Sequence, residues 1–227
     1  MTSTTTADEI AEQFEAQLVT KEADDLPASY NVAPTQDIMV VANHKDGSRV
    51  LETMHWGLVP FFSKDKKTSG RMINARVENV PDKPAYRRAF TKHRCIIPAD
   101  GFYEWQKINS KTKQPWFFRP KDGGLIAFAG LWEVWHDPEL PKDADPLFST
   151  TIITTDANKD MEDVHNRMPL ILKGKAIEEW LDPDNTDKDD LRHLLEVAKP
   201  GYLESYRVST DVNRASNNGP ELLEPIE

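Results

Sequence analysis

Three short segments of this 227-residue chain set a chemically useful polar side chain among apolar neighbours. The first is Met72-Ile73-Asn74-Ala75-Arg76-Val77-Glu78, where the Asn74 amide could orient a substrate or simply cap a turn. The second is Pro98-Ala99-Asp100-Gly101-Phe102-Tyr103-Glu104-Trp105. Read as a strand, it puts Phe102 and Glu104 on one face and Tyr103 and Trp105 on the other. A carboxylate beside Phe102 would lose solvent, its pKa would rise, and it would suit general acid chemistry. The competing reading, a glutamate exposed on a strand edge, is the commoner one for such residues alone. The third segment is Asp163-Val164-His165-Asn166-Arg167-Met168-Pro169. His165 could shuttle a proton near neutral pH, or could be a turn histidine bonded to backbone.

Other chemistries have less support. Cys95 is the single cysteine, so no internal disulfide, Cys-rich zinc site or CxxC redox pair can form. It lies in the apolar run Arg94-Cys95-Ile96-Ile97-Pro98, as a buried structural thiol would. The six histidines form no HExxH pair, and neither GxxxxGK[ST] nor GxGxxG occurs, so no metal and no cofactor is expected. No apolar run approaches the roughly 20 residues that span a bilayer. Nor does the start Met1-Thr2-Ser3-Thr4-Thr5-Thr6 have the basic and apolar regions of a secretory signal. An intracellular protein without membrane contact is the expectation: cytoplasm or nucleoid, or nucleus in a eukaryote.

Charge is uneven. The net charge is −10, which speaks against a nucleic-acid partner. Residues 64–94, however, hold ten Lys/Arg against three acids, or +7, while the remainder holds 18 against 35, or −17. Such a segment is either a phosphate-binding stripe or an unevenly charged solvated surface.

The elements that must position these groups are mostly strands. Residues 6–18 predict an amphipathic helix, opened by a Thr6–Glu9 capping box and marked by Ile10, Phe14 and Leu18. Strands are expected at 38–43 and 49–56, joined by the Lys45-Asp46-Gly47-Ser48 turn, and at 94–97, 102–107, 116–119, 125–135, 148–155 and 206–208. Short helices are expected at 86–92, 176–181 and 188–198, with 60–83 irregular. Because helices do not alternate with the strands, a doubly wound sheet is disfavoured. The expectation is an α+β, β-rich single domain over 1–227, with a mixed or antiparallel barrel-like core and peripheral helices.

The combination resembles the SOS-response-associated peptidase family. Eight stretches carry the resemblance in order from residue 29 onward: SYNVAPT, WGLVP, INARVE, PAYR, RCIIPADGFYEW, AGLW, ITTDAN and HNRMP. The resemblance implies a β-rich domain that binds single-stranded DNA and single-strand–duplex junctions and crosslinks to abasic sites, in DNA repair. In the family, the α-amine of a cysteine exposed by Met removal forms a Schiff base with the abasic aldehyde, and its thiol closes a thiazolidine. By resemblance Asn74 orients amine and sugar, Glu104 shuttles protons at the Schiff base, and His165 assists opening of the deoxyribose ring. Arg76 and Arg87 match phosphate contacts, and Asn31, Pro34 and Thr154 fall on motifs that line the DNA groove. A monomer is expected.

The start departs from the pattern. The family begins Met-Cys-Gly-Arg; this chain begins Met1-Thr2-Ser3-Thr4, so residues 1–5 are expected to be flexible or incomplete. Three explanations compete: a mis-assigned or altered start, a variant that binds abasic DNA without a thiazolidine, or Thr2 supplying the amine after Met removal. Without the cysteine, the expected adduct is a Schiff base only. Two rival classes remain: a non-catalytic single-stranded-DNA binder, and a self-processing peptidase or other hydrolase.

Overall fold

The computed structural model describes residues 1–18, 26–44 and 46–226. Twelve strands carry it: β1 Gln17–Leu18, β2 Asp37–Asn43, β3 Arg49–Trp56, β4 Asn74–Arg76, β5 Arg94–Ala99, β6 Phe102–Lys107, β7 Lys113–Pro120, β8 Ile126–Trp135, β9 Leu147–Asp156, β10 Arg167–Pro169, β11 Ile171–Leu172 and β12 Leu203–Arg207. Four short helices accompany them among the described residues: α1 Ala7–Gln13, α2 Arg87–Lys92, α3 Lys175–Leu181 and α4 Lys188–Arg192.

The larger sheet runs β1-β3-β2-β5-β8-β9-β10, and a further pairing of β3 with β9 joins five of these strands into a ring. The closing pairs, His55↔Ser149 and Trp56↔Thr150, are parallel, whereas β2–β3, β5–β8 and β8–β9 are antiparallel. The ladder is therefore mixed, as expected. A second, three-stranded antiparallel sheet, β12-β7-β6, packs against it.

Strand alternation explains how one ring serves two cores. Met39 and Val41 of β2 and Ile96 of β5 face a cluster with Ile10 and Phe14, Phe90 of α2 and Trp180 of α3. Ile38, Val40, Ala42, Cys95 and Ile97 face Phe102 and Phe118 of the second sheet. Both faces of β5 are covered, so it reads as a continuous apolar run rather than an alternating one. The Trp180 indole N–H donates to the Cys95 carbonyl at 2.9 Å, which satisfies its polar atom in full burial.

Local signals explain most boundaries. The Thr6–Glu9 capping box forms, but the helix stops at Gln13, and Glu15 turns to φ 52° before β1 begins at Gln17. The expected 6–18 helix is thus halved, because the chain must reverse to lay Gln17 beside Val50. The expected 188–198 helix gives way to a single 3-10 turn, His193–Leu195. The expected hairpin 38–56 is present, with Val41 opposite Leu51; Lys45 of its turn lies outside the described residues. Gly57 (φ 146°) follows β3 where any Cβ would stand 2.7 Å from the Ser69 carbonyl oxygen, so only glycine fits.

The start of the chain is not loose. Met1 accepts from the Val32 N–H at 2.8 Å, Thr2 bridges Gly101, and Ser3 bridges Ser29. Asp100 takes the Thr4 N–H (2.6 Å) and the Thr5 hydroxyl (2.5 Å). Residues 1–5, expected to be flexible or incomplete, are held by two isolated bridges and by Asp100, partners that the sequence does not announce. A Cβ at Gly101 would lie 2.3 Å from the Phe117 ring, so glycine there makes room for β7 of the second sheet.

Candidate functional site

β9 is the shared seat of the site. β4 lies parallel to it, pairing Asn74 with Ile152 and Arg76 with Thr154. On its other edge β10 pairs antiparallel, Pro169 opposite Thr154 and Arg167 opposite Asp156. Residues 60–83 are otherwise mostly irregular, as expected, apart from β4 and the 3-10 turn Ser69–Arg71. The three residues of β4 were illegible as a strand because β9, remote in sequence, supplies every partner. The Trp56 indole N–H donates to the Ile73 carbonyl at 3.0 Å and fixes the approach to Asn74.

The second sheet brings Glu104 to the same place. A cavity of about 600 Å³ has Asn74, Arg76 and Thr154 on one wall, Phe102 to Trp105 on another, and His165 and Arg167 on a third. Glu104 is half-buried, and burial pushes its carboxyl above the ordinary value, with the positive field of His165 pulling it back. The face it was expected to share with Phe102 is the cavity face, although Tyr103 and Trp105 also reach the rim.

His165 is held through Nδ1, which meets the Arg167 N–H at 3.1 Å and the Arg167 carbonyl at 3.0 Å; its protonation selects which. That turn leaves Nε2 for a substrate. The turn reading and the proton-shuttle reading of His165 are therefore compatible. Arg167 donates to both Glu78 oxygens (2.7 and 3.1 Å), to Asp156 (2.6 Å) and to the Thr154 carbonyl (2.7 Å), while its buried Nε has no partner among the described residues. Sequence reasoning did not single out this arginine, whose mark was only its place in HNRMP.

The largest difference concerns the amine. Thr2 does not line the cavity: it is fully buried, its N–H donates to the Gly101 carbonyl at 2.9 Å, and its hydroxyl donates to the same oxygen at 3.2 Å. Met1 lines the cavity instead. Its α-amine donates to the Val32 carbonyl at 3.2 Å, and burial lowers its pKa from 8.0 to about 5 against the opposing pull of Glu104. An amine so placed is neutral at pH 7 and keeps its lone pair for a carbon electrophile. With Met1 in place, the terminal amine at the cavity is that of Met1, and the Thr2 nitrogen is a peptide N–H.

The other expected residues divide. Arg76 and Thr154 line the cavity, and Pro34 lies exposed at its rim. Asn31 also lines it, but its amide nitrogen is spent on the carbonyls of Val212, Arg214 and Asn217, each at 3.1 Å, so it braces the wall. Arg87 is exposed at the start of α2 and is not brought to the cavity. The basic segment divides likewise. Arg94 is buried, donating to the carbonyls of Phe90, Trp180, Asp182 and Asn185, and Arg88 donates to Glu133 at 2.9 Å. Cys95 is buried and its thiol is pushed up to about 12, consistent with a structural role.

The class these features define is a mixed-sheet domain with an N-terminal amine set against a carboxyl, an imidazole and an amide. The family model described as SOS response associated peptidase (SRAP) matches residues 1–215. The chain belongs to this family. It is 46% identical over 217 residues to the abasic site processing protein YoqW of Bacillus subtilis, covering 96% of this chain and 94% of that one. To the abasic site processing protein HMCES of Gallus gallus it is 35% identical, covering 88% of this chain and 66% of the other. A crystal structure of a Bacteroides thetaiotaomicron protein shares the fold, with a TM-score of 0.87 at 24% identity over 99% of this chain and 98% of its own. No helix among the described residues is long and apolar enough to cross a membrane.

Proposed function

We propose that this chain processes abasic sites in single-stranded DNA and at its junctions with duplex, through a Schiff base on the α-amine of Met1. The observation that carries this reading is one cavity holding a neutral, buried amine beside Glu104, His165 and Asn74. An abasic site presents a hemiacetal that opens to an aldehyde. His165 transfers a proton during that opening, at the ring nitrogen its turn leaves free. The Met1 nitrogen attacks the aldehyde carbon, forming the C–N bond of a carbinolamine. Glu104, whose carboxyl burial raises above the ordinary value, donates a proton to the carbinolamine oxygen. Water departs and the imine remains. Asn74 orients the sugar. Arg76 and Thr154 face the adjoining phosphates.

No thiol stands ready to trap the imine. Cys95 is buried on β5 and offers no α-amine. The adduct is therefore reversible by hydrolysis, with Glu104 serving the return step. One cavity holds every group the reaction uses, so the protein acts as a monomer, as one domain over 1–227, on DNA inside the cell. The test is borohydride trapping with an abasic oligonucleotide, followed by peptide mass mapping. A reduced adduct on the Met1 amine supports the reading; an adduct on a lysine, or none, overturns it.

A further inference from the structure

A second groove, of about 520 Å³, opens beside the cavity along the β6–β7 hairpin, and Trp105 and Asn213 line both. The Trp105 indole N–H donates to Asn213 Oδ1 at 2.7 Å, so the seam between them is fixed. The groove's other wall carries Lys107, Lys111 and Lys113. Residues 107–113 contain these three lysines and no acid, in a chain whose net charge is −10. All three are exposed, and none makes an ion pair among the described residues. Contrast Arg94 and Arg88 of the 64–94 segment, whose charges are already engaged.

The hairpin is also preorganised. Asn109 Oδ1 accepts the N–H groups of Lys111 (2.8 Å) and Thr112 (2.9 Å), which sets the turn. Gln106 donates to the Asp163 carbonyl at 2.8 Å, tying β6 to the loop that carries His165. Lys113 is near enough to Glu104 for its charge to favour the carboxylate. A strip of unneutralised, positioned cations continuous with a reaction cavity suits a polyanion whose reacting unit sits in that cavity.

We propose that Lys107, Lys111 and Lys113 carry the backbone of one arm of the single strand as it leaves the cavity. The proposal rests on the abasic-site reading and adds a binding path outside the 64–94 segment. Because a strand has polarity and the groove opens on one side of the cavity, the lysines meet either the 5′ or the 3′ arm, not both.

The experiment measures equilibrium binding against salt for the wild type and for Lys107→Ala/Lys111→Ala/Lys113→Ala. Two single strands of equal length are used, one with the abasic site at its 5′ end and one at its 3′ end. Three phosphates at about 0.7 each lower the logarithmic salt slope by about two units, on one of the two strands only. The triple Lys→Arg variant restores the slope. An unchanged slope on both strands, or an equal fall on both, overturns the proposal. A wild type that binds with this asymmetry but yields no borohydride-trapped adduct supports the strip and overturns the abasic-site reading alone.

Discussion

Acetylating the Met1 amine separates its chemistry from its burial. Burial lowers that amine from 8.0 to about 5, a shift of three units. At pH 7 an ordinary amine of that kind is about one-tenth neutral, whereas the buried one is almost wholly neutral, about a tenfold gain in reactive form. The same shift sets a stability slope. Above pH 8 the amine is neutral in both the folded and unfolded chain, and its burial carries no charge penalty. As pH falls from 8 to 5 the unfolded chain takes up a proton that the folded one refuses, and stability drops by ~1.4 kcal/mol per unit, about 4 kcal/mol in all. Below pH 5 both forms are protonated and the loss is complete. Acetylation leaves an N–H for the Val32 carbonyl but removes the titration. Urea unfolding of the free and acetylated proteins at pH 8.5 and 5, each also carrying Glu104→Gln, gives the comparison, since titrating groups not coupled to the amine cancel in the double difference. The expected result is a pH-dependent loss about 3–4 kcal/mol larger for the free amine, together with no trapped adduct for the acetylated form with Glu104 intact. Equal pH dependence in the two forms would refute the buried-amine argument. A trapped adduct on the acetylated chain would refute Met1 as nucleophile.

Glu104→Gln keeps shape and removes the titrating proton; it folds normally, and the initial rate of trapped-adduct formation falls by about 10²–10⁴, a wild-type rate from pH 5 to 8 being the contrary result. Arg76→Ala lowers the salt slope of DNA binding by about one unit without altering sequence preference, and an unchanged slope removes Arg76 from the DNA path. Inserting a single Cys between Met1 and Thr2, with Met1 then removed, puts an amine and a thiol on one residue at the position Met1 holds. A denaturing gel then shows an adduct that survives heating without borohydride, whereas the unmodified chain shows one only with it. A heat-stable adduct from the unmodified chain contradicts the Schiff-base assignment.

The sequence by itself determined what depends on local pattern. Apolar, β-branched-rich runs at 38–43 and 49–56, with a tight turn between them, specified a hairpin that forms in register, and the Thr6–Glu9 box specified where α1 begins. Glu104 and His165 were legible as candidates because each is a titratable group amid apolar residues, and burial does raise the Glu104 carboxyl. Tertiary structure alone decided the rest, because those features draw their partners from distant chain. β4 exists only as an edge on β9, about 80 residues later. Arg94 counted toward the basic stripe until the fold turned it onto four carbonyls, and Arg87 stayed away from the cavity. The buried terminal amine was the furthest from reach. Charge and spacing say nothing of whether a chain terminus is buried; the Val32 and Gly101 backbones, from two different loops, hold Met1 and Thr2 there. Desolvation at that one point lowers the amine's pKa from 8.0 to about 5.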